Sequence, residues 1–398
     1  MRVLIENGSY HLMNMGDVAA LQVALTRLRA IWPGVELHVP TREPERLARL
    51  CPGARAVEQG APALGSVRER LYRRFPGVRR AAMAARRVLP PRSGADARAF
   101  GLVVACGGGY LADPFREHAM RVLGTLRAAV RDGRPAVMLG QGLGPIGDPT
   151  LWAAAREVLP RLDLLFVRDG RSSARLAEEL GVDAERVVVT GDDTIETAHI
   201  ATPASLGGGL GVNIRVADYS GVDRDDLPWV GAAIGNAARR LGAFVVPLPV
   251  SCHPTERDSV VIRLALGAGA QPLDAVGEAP SPQELIERTG RCRVVVTGSY
   301  HAGVFALAQG VSVVALAATR YYVEKFAGLE ERFRAGCSVV SLREPGAAGR
   351  LLATITERWA AAERMRPRLL EAADGQVRAG WSAYRRLAIV AATDRVAP

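Results

Sequence analysis

Lysine is almost missing from this chain. Lys325 is the only one, and arginine carries nearly all of the positive charge. The net charge of +10 reads first as arginine-rich codon usage. Its second reading is a partner bearing phosphates or carboxylates, or an anionic membrane surface. Cysteine is sparse as well. Cys51, Cys106, Cys252, Cys292 and Cys337 stand singly with no CxxC pair, which argues against a zinc site or a redox dithiol. Such an odd, scattered set fits a reducing cytoplasm. No run of about 18 apolar residues occurs, so no membrane-spanning helix is expected. The opening MRVLIENG reads as a strand entering a loop rather than as a signal peptide. Internal repeats and long low-complexity tracts are lacking, and no nucleic-acid partner is expected.

What is present is material for two cores. The chain has 398 residues, 48% of them apolar and 23% charged. Single cores stop growing near ~250–300 residues, so two domains are expected. Apolar stretches at 2–5, 35–39, 101–105, 135–139, 164–167 and 187–190 read as strands, interleaved with helical spacing at 17–30 and 172–180. Strands that are apolar on both faces belong to a covered parallel sheet. Residues 201–209, with Pro203 and three successive glycines, read as a linker. A second series follows, with strands at 210–214, 243–247, 293–296 and 311–316 and helices at 230–241, 301–309 and 348–364. A helical tail over 367–391 closes the chain. The expected architecture is α/β, with two Rossmann-like domains and mostly parallel sheets. The first covers 1–200, the second 210–366, and the tail 367–398. Within the first, residues 68–98 carry ten arginines against only Glu69 and Asp96. That segment reads either as an arginine-laced surface helix pair or as peripheral contact with an anionic membrane.

Ligands of open α/β sheets bind beyond the carboxyl ends of the strands, and every candidate motif falls at such an end. Asn14-Met15-Gly16-Asp17 opens the first helix. Gly16 permits close backbone approach, and Asn14 and Asp17 either cap the helix or face a cleft, there hydrogen-bonding a sugar hydroxyl or, for Asp17, acting as a catalytic base. Gly107-Gly108-Gly109 reads as a turn whose backbone amides could cradle an anion or a sugar. Gln141, inside Gly140-Gln141-Gly142-Leu143-Gly144-Pro145, offers both a donor and an acceptor. Arg168 leaves a strand end with forked donors suited to a carboxylate or phosphate; pairing with Asp169 is the structural alternative. Thr297-Gly298-Ser299-Tyr300-His301 is the most informative string. A helix N-terminus there offers free amides, Thr297 and Ser299 add hydroxyls, and His301 can move a proton near neutral pH. Lys325 is the one side chain whose ammonium can be tuned to lose its proton.

In their order these motifs resemble the polysaccharide pyruvyltransferase family over roughly residues 1–330. The likeness rests on Asn14/Gly16/Asp17, Gly107–Gly109, Gly140-Gln141-Gly142, Arg168-Asp169-Gly170-Arg171-Ser172, Gly191-Asp192-Asp193, Gly211-Val212-Asn213-Ile214-Arg215 and Ser299-Tyr300-His301-Ala302-Gly303-Val304-Phe305-Ala306-Leu307, with Lys325 after the following strand. The resemblance implies a GT-B-like arrangement and a transferase that needs no cofactor; the cysteine pattern and the basic segment set the expected location as cytoplasmic, with or without membrane association. The implied donor is phosphoenolpyruvate, and the implied product a pyruvate ketal on a polysaccharide, lipid-linked glycan or glycosylated metabolite. Carried over by position, His301 contacts the donor as general acid, and Arg168 and Lys325 hold its phosphate and carboxylate. Asn14, Asp17 and Gln141 face the acceptor sugar, with Gly16, Gly108, Gly109, Arg215, Thr297, Ser299 and Tyr300 lining the site. Many family members carry an arginine two residues before the histidine, where this chain has Ser299; Arg215, Arg293 and Arg320 are the candidates to replace its charge. Two other readings stand beside this one: a GT-B glycosyltransferase using a nucleotide sugar, and a sugar-binding protein without turnover.

Overall fold

The computed structural model describes residues 1–58, 97–267 and 281–393. Most of the basic segment 68–98 therefore lies outside the described residues. The first sheet contains β1 (Arg2–Glu6), β2 (Glu36–Thr41), β3 (Arg55–Glu58), β4 (Leu102–Ala105), β6 (Ala136–Leu143), β7 (Leu164–Val167) and β8 (Val187–Val189). Their order is β3-β2-β1-β4-β6-β7-β8, and the short β5 (Gly108–Leu111) pairs with β6 off that path. The second sheet contains β9 (Gly209–Asn213), β10 (Phe244–Pro247), β11 (Cys292–Thr297), β12 (Ser312–Ala317) and β13 (Cys337–Ser341), in the order β10-β9-β11-β12-β13. All the described pairings within both sheets are parallel. The apolar composition explains this: β4 and β12 are buried along their whole length, as covered parallel strands require.

Helix Tyr300–Ala308 occupies the centre of the molecule. Each of its residues is buried, and its sequence is small and apolar on every side. A helix of that kind has no solvent face and must be surrounded by other elements. One continuous apolar cluster runs from Val3 and Leu21 in the first half through Phe305 and Val313 in the second to Leu387 near the C-terminus. The two halves therefore share a core behind the cleft between them. The cleft floor is also pinned by backbone pairing across the halves. Met15 N–H donates to the Val250 carbonyl at 2.9 Å, and Cys252 N–H to the Met13 carbonyl at 2.9 Å.

Three local expectations need correction. The 140–145 glycine string is mostly strand, because β6 continues to Leu143 through a register shift between Met138 and Gln141. The helix expected over 172–180 is a short π-helical turn, Gly170–Ala174, followed by Arg175–Glu179. Asp169 winds that turn by accepting from the Ser172 and Ser173 amides at 2.7 and 3.0 Å. The helix at 348–364 and the tail are one element, Ala347–Thr393, with Pro367 inside it.

That long helix crosses from the second half back onto the first. Near its start, Trp359 accepts from Arg293 at 3.2 Å. Farther on, Trp381 Nε1 donates to Glu196 at 2.8 Å and Tyr384 Oη to Asp193 at 3.0 Å. Arg27, only 2% exposed, lies between the Trp381 and Tyr384 rings. It reaches Asp193 at 2.9 Å and Glu196 at 2.7 Å. Among the described residues, no helix is long and apolar enough to cross a membrane.

Candidate active site

The C-terminal strand ends of both sheets open into one cleft of about 400 Å³. Asn14, Asp17 and Gly109 line it from the first half; Arg215, Ser299, Tyr300, His301 and Lys325 line it from the second. The motifs that the sequence places at separate strand ends are thus brought together across a single gap.

His301 stands in the first turn of the central helix. Ser299, at the N-cap, makes no capping bond with its side chain. The imidazole lies directly over Gly16. A Cβ added to Gly16 would sit 2.0 Å from the His301 ring, so only glycine allows the two helix starts to meet. Burial pushes the His301 imidazole down to about 3, against the pull of Asp192, whose Oδ2 lies 3.9 Å from Nε2. His301 is therefore neutral at pH 7. Its Nε2 is buried and finds no partner among the described residues.

Arg168 lies beside it, 2% exposed; it does not line the large cleft itself but a small recess adjoining it, which it shares with Gly109, Tyr300, Tyr321 and Lys325. Its Nε donates to the Gly140 carbonyl at 2.9 Å and lies 2.8 Å from Asp192 Oδ2. Asp192, not Asp169, is its ion-pair partner. Both terminal nitrogens, Nη1 and Nη2, are buried and meet no acceptor among the described residues. Burial alone would raise the Asp192 carboxyl, but Arg168 and the hydrogen bonds from the Thr194 hydroxyl and amide hold it below the usual range.

Lys325 completes the cationic side. Its Nζ donates to Tyr321 Oη at 3.0 Å, and Tyr321 in turn donates to the Gly109 carbonyl at 3.1 Å. The ammonium also faces the rings of Tyr300 and Tyr321, each 5.0 Å away. A Cβ on Gly109 would lie 2.8 Å from Nζ and 3.1 Å from Tyr321 Oη, so a side chain there would displace the lysine from its present seat. Burial, helped by Arg168, pushes Lys325 down to about 7. Burial likewise pushes Asp17 up to about 6, although Arg168, Lys325 and Arg215 oppose it. A carboxyl and an amine in one cleft are thus both tuned toward neutrality, a pattern typical of groups that exchange protons.

Several expected ligands do other work. Gln141 is fully buried and absent from the cleft lining; its amide donates to the Ala105 and Cys106 carbonyls and to Tyr110 Oη. Thr297 is also buried, bridging the Ser299 amide and carbonyl to shape the turn. Gly108 makes room for the Tyr110 ring rather than for a ligand. Asn14 does both things foreseen for it, capping the Gly16 and Asp17 amides while lining the cleft. None of the three arginines offered in place of the family's arginine is free to act. Arg215 lines the cleft but is held by both oxygens of Asp258, at 2.7 and 2.9 Å. Arg293 faces Trp359 and Glu363, and Arg320 is exposed and paired with Glu324. The open hydrogen-bonding capacity belongs to Arg168, whose Nη1 and Nη2 meet no acceptor among the described residues, with the Lys325 amine beside it.

A model of the polysaccharide pyruvyl transferase family matches residues 14–319. The chain belongs to that family. No curated protein matches it. Among solved structures, this pyruvyl transferase family member is similar to UDP-GlcNAc 2-epimerase from Neisseria meningitidis bound to UDP-GlcNAc, with TM-score 0.59 and 13% identity over 97% of this chain and 99% of that one. Arabidopsis thaliana UGT89C1 complexed with UDP-L-rhamnose is similar at TM-score 0.56 and 11% identity, over 99% and 98% of the two chains. At such identities the likeness shows the fold, which is GT-B.

The opposite wall of the transferase's cleft was not foreseen. Tyr10, His11, Arg42, Phe115, His118 and Tyr219 line it. Phe115 and Tyr219 meet across the halves with centroids 4.9 Å apart. Tyr10, His11, Arg42 and Tyr219 sit in loops, Phe115 ends the short turn Asp113–Phe115, and His118 stands in the first turn of helix Arg116–Arg131; no glycine string or other signal in the sequence marked them.

Proposed function

We propose that the chain transfers the pyruvyl group of phosphoenolpyruvate to two hydroxyls of a sugar, giving a cyclic ketal and inorganic phosphate. The observation that carries this reading is Arg168, a buried guanidinium with two unspent nitrogens next to a buried ammonium. Unsatisfied buried donors cost free energy unless a ligand supplies acceptors. A phosphate and a carboxylate on one small donor supply them, and such preorganised donors stabilise the phosphate as it leaves.

The protonation states suit the chemistry. Ketal transfer requires a proton on the methylene carbon and removal of protons from the attacking hydroxyls. Lys325, lowered to about 7, is the proton donor, and Asp17, raised to about 6, receives a hydroxyl proton. Neutral His301 donates a hydrogen bond to the donor anion. Phe115 and Tyr219 offer apolar faces to a sugar ring.

The test is phosphate release from phosphoenolpyruvate with a panel of methyl glycosides bearing free 4- and 6-hydroxyls, beside His301→Ala. Acceptor-dependent release that falls at least ~10²-fold in the variant supports the reading. Release of nucleotide from a nucleotide sugar, with phosphoenolpyruvate untouched, overturns it in favour of glycosyl transfer.

A further inference from the structure

Closing a ketal ring uses two hydroxyls, so two protons must leave oxygen, and Asp17 accounts for one. We propose that His118 takes the other, with Nδ1 as the accepting atom. His118 lines the same cleft from helix Arg116–Arg131. Its Nε2 lies 2.8 Å from the Asn7 carbonyl oxygen. A carbonyl only accepts, so the ring proton sits on Nε2 and the lone pair on Nδ1. No described residue forms a hydrogen bond with Nδ1. The rings of Tyr10 and Tyr110 pack edge-on against the imidazole, each with its centroid 4.9 Å away, and fix its plane.

Asp17 and His118 flank one turn. The Asn7 carbonyl receives His118, and a Cβ on the adjacent Gly8 would lie 3.0 Å from Asp17 Cγ. The charged groups around His118 are Arg121 and Glu117 on its own helix and Glu6 behind Tyr10, which Tyr10 Oη contacts at 2.7 Å. Burial pushes the imidazole down to about 4, opposed by the Asn7 carbonyl, so the lone pair is available at neutral pH. An anionic donor bound in the cleft raises that value and strengthens the base.

The proposal rests on the pyruvyl-transfer reading, and its bonds balance without a co-reactant. The first hydroxyl oxygen bonds the enol carbon, its proton passes to Asp17, and the methylene takes one proton from Lys325. The carbon–oxygen bond to phosphate then breaks, the second hydroxyl oxygen bonds the same carbon, and its proton passes to His118. The cycle closes when one of the two hydroxyl protons returns to Lys325, replacing the one now on the methyl group, and the other leaves on the phosphate.

His118→Gln tests this, because it keeps an N–H for the Asn7 carbonyl but has no base. Unchanged melting temperature and phosphoenolpyruvate stabilisation, with kcat lower by ~10²–10⁴-fold, is the expected result, and added imidazole should partly restore His118→Ala. Wild-type turnover in His118→Gln overturns the proposal. So does a loss confined to KM for phosphoenolpyruvate, which marks a binding role. If the wild-type protein consumes a nucleotide sugar instead, the donor reading fails and the need for a second base falls with it, whereas pyruvyl transfer that proceeds at the wild-type rate in His118→Gln sinks the His118 assignment alone. Nitrogen-15 histidine spectra at pH 7 give a readout independent of substrate: a proton on Nε2 is expected, and one on Nδ1 overturns the assignment.

Discussion

Two arginines, Arg27 and Arg168, are each 2% exposed and grip neighbouring residues of one turn, Asp193 and Asp192. At the rear, Arg27 is paired and covered. Its Nε and Nη1 donate to Glu196 and Asp193, Trp381 and Tyr384 cover its faces, and none of its nitrogens is buried without a partner among the described residues. At the front, Arg168 is left two acceptors short beside His301 and Lys325. Burial is the same in both places, so burial does not mark a binding site. Unspent hydrogen-bonding capacity does. The rear clamp holds the long C-terminal helix to the first half and supports the turn from which Asp192 reaches the front.

The sharpest way to break this comparison is to exchange each arginine for methionine. Arg168→Met should cost turnover about 10²–10³-fold, by analogy with removing a preorganised donor to a leaving anion. Its effect on unfolding should be smaller, because Asp192 keeps the Thr194 amide and hydroxyl at 2.8 and 2.6 Å. Arg27→Met should do the reverse. Denaturant titration is expected to show a loss of about 3–5 kcal/mol from stranded buried carboxylates, with turnover per folded molecule near wild type. Equal effects of the two substitutions on both readouts would erase the distinction.

Smaller changes sharpen it. Gly16→Ala forces the His301 ring aside and should lower kcat while costing about 1–3 kcal/mol of stability through overpacking. The pH profile of kcat/KM should be a narrow bell. Asp17 must be ionised, so activity falls as pH drops through about 6; Lys325 must be protonated, so it falls as pH rises through about 7. Lys325→Arg keeps the charge but cannot release a proton near neutral pH, so it should lower kcat by about 10²-fold or more and remove the alkaline limb from the activity that remains. The smallest effect belongs to Tyr384→Phe, which deletes one hydrogen bond to Asp193 and should cost about 0.5–1.5 kcal/mol in a denaturant titration.

Much of the second half was legible in the sequence because its signals are local. An apolar strand, a glycine turn and a small-residue helix follow one another from Arg293 to Gln309, and His301 is where that order puts it. Lys325 stood out by composition alone. Gln141 and Thr297 misled because polarity at a strand end does not reveal whether a side chain turns toward the cleft or back to the chain. Both turn back and satisfy backbone groups. The pairings Arg168–Asp192 and Arg215–Asp258 join residues 24 and 43 positions apart, distances over which no periodicity carries information. His118 was missed for the same reason: its partners come from two other segments, Asn7 and Tyr10 from the loop after β1 and Tyr110 from β5.

The account stands most directly on calorimetric titration of phosphoenolpyruvate into the wild-type protein, Arg168→Met and Lys325→Met. Binding by the wild type, weakened at least tenfold in each variant (about 1.4 kcal/mol), is the predicted result. Equal affinity in all three, or no binding to a folded wild-type protein, would contradict the claim that the unspent cations hold the donor.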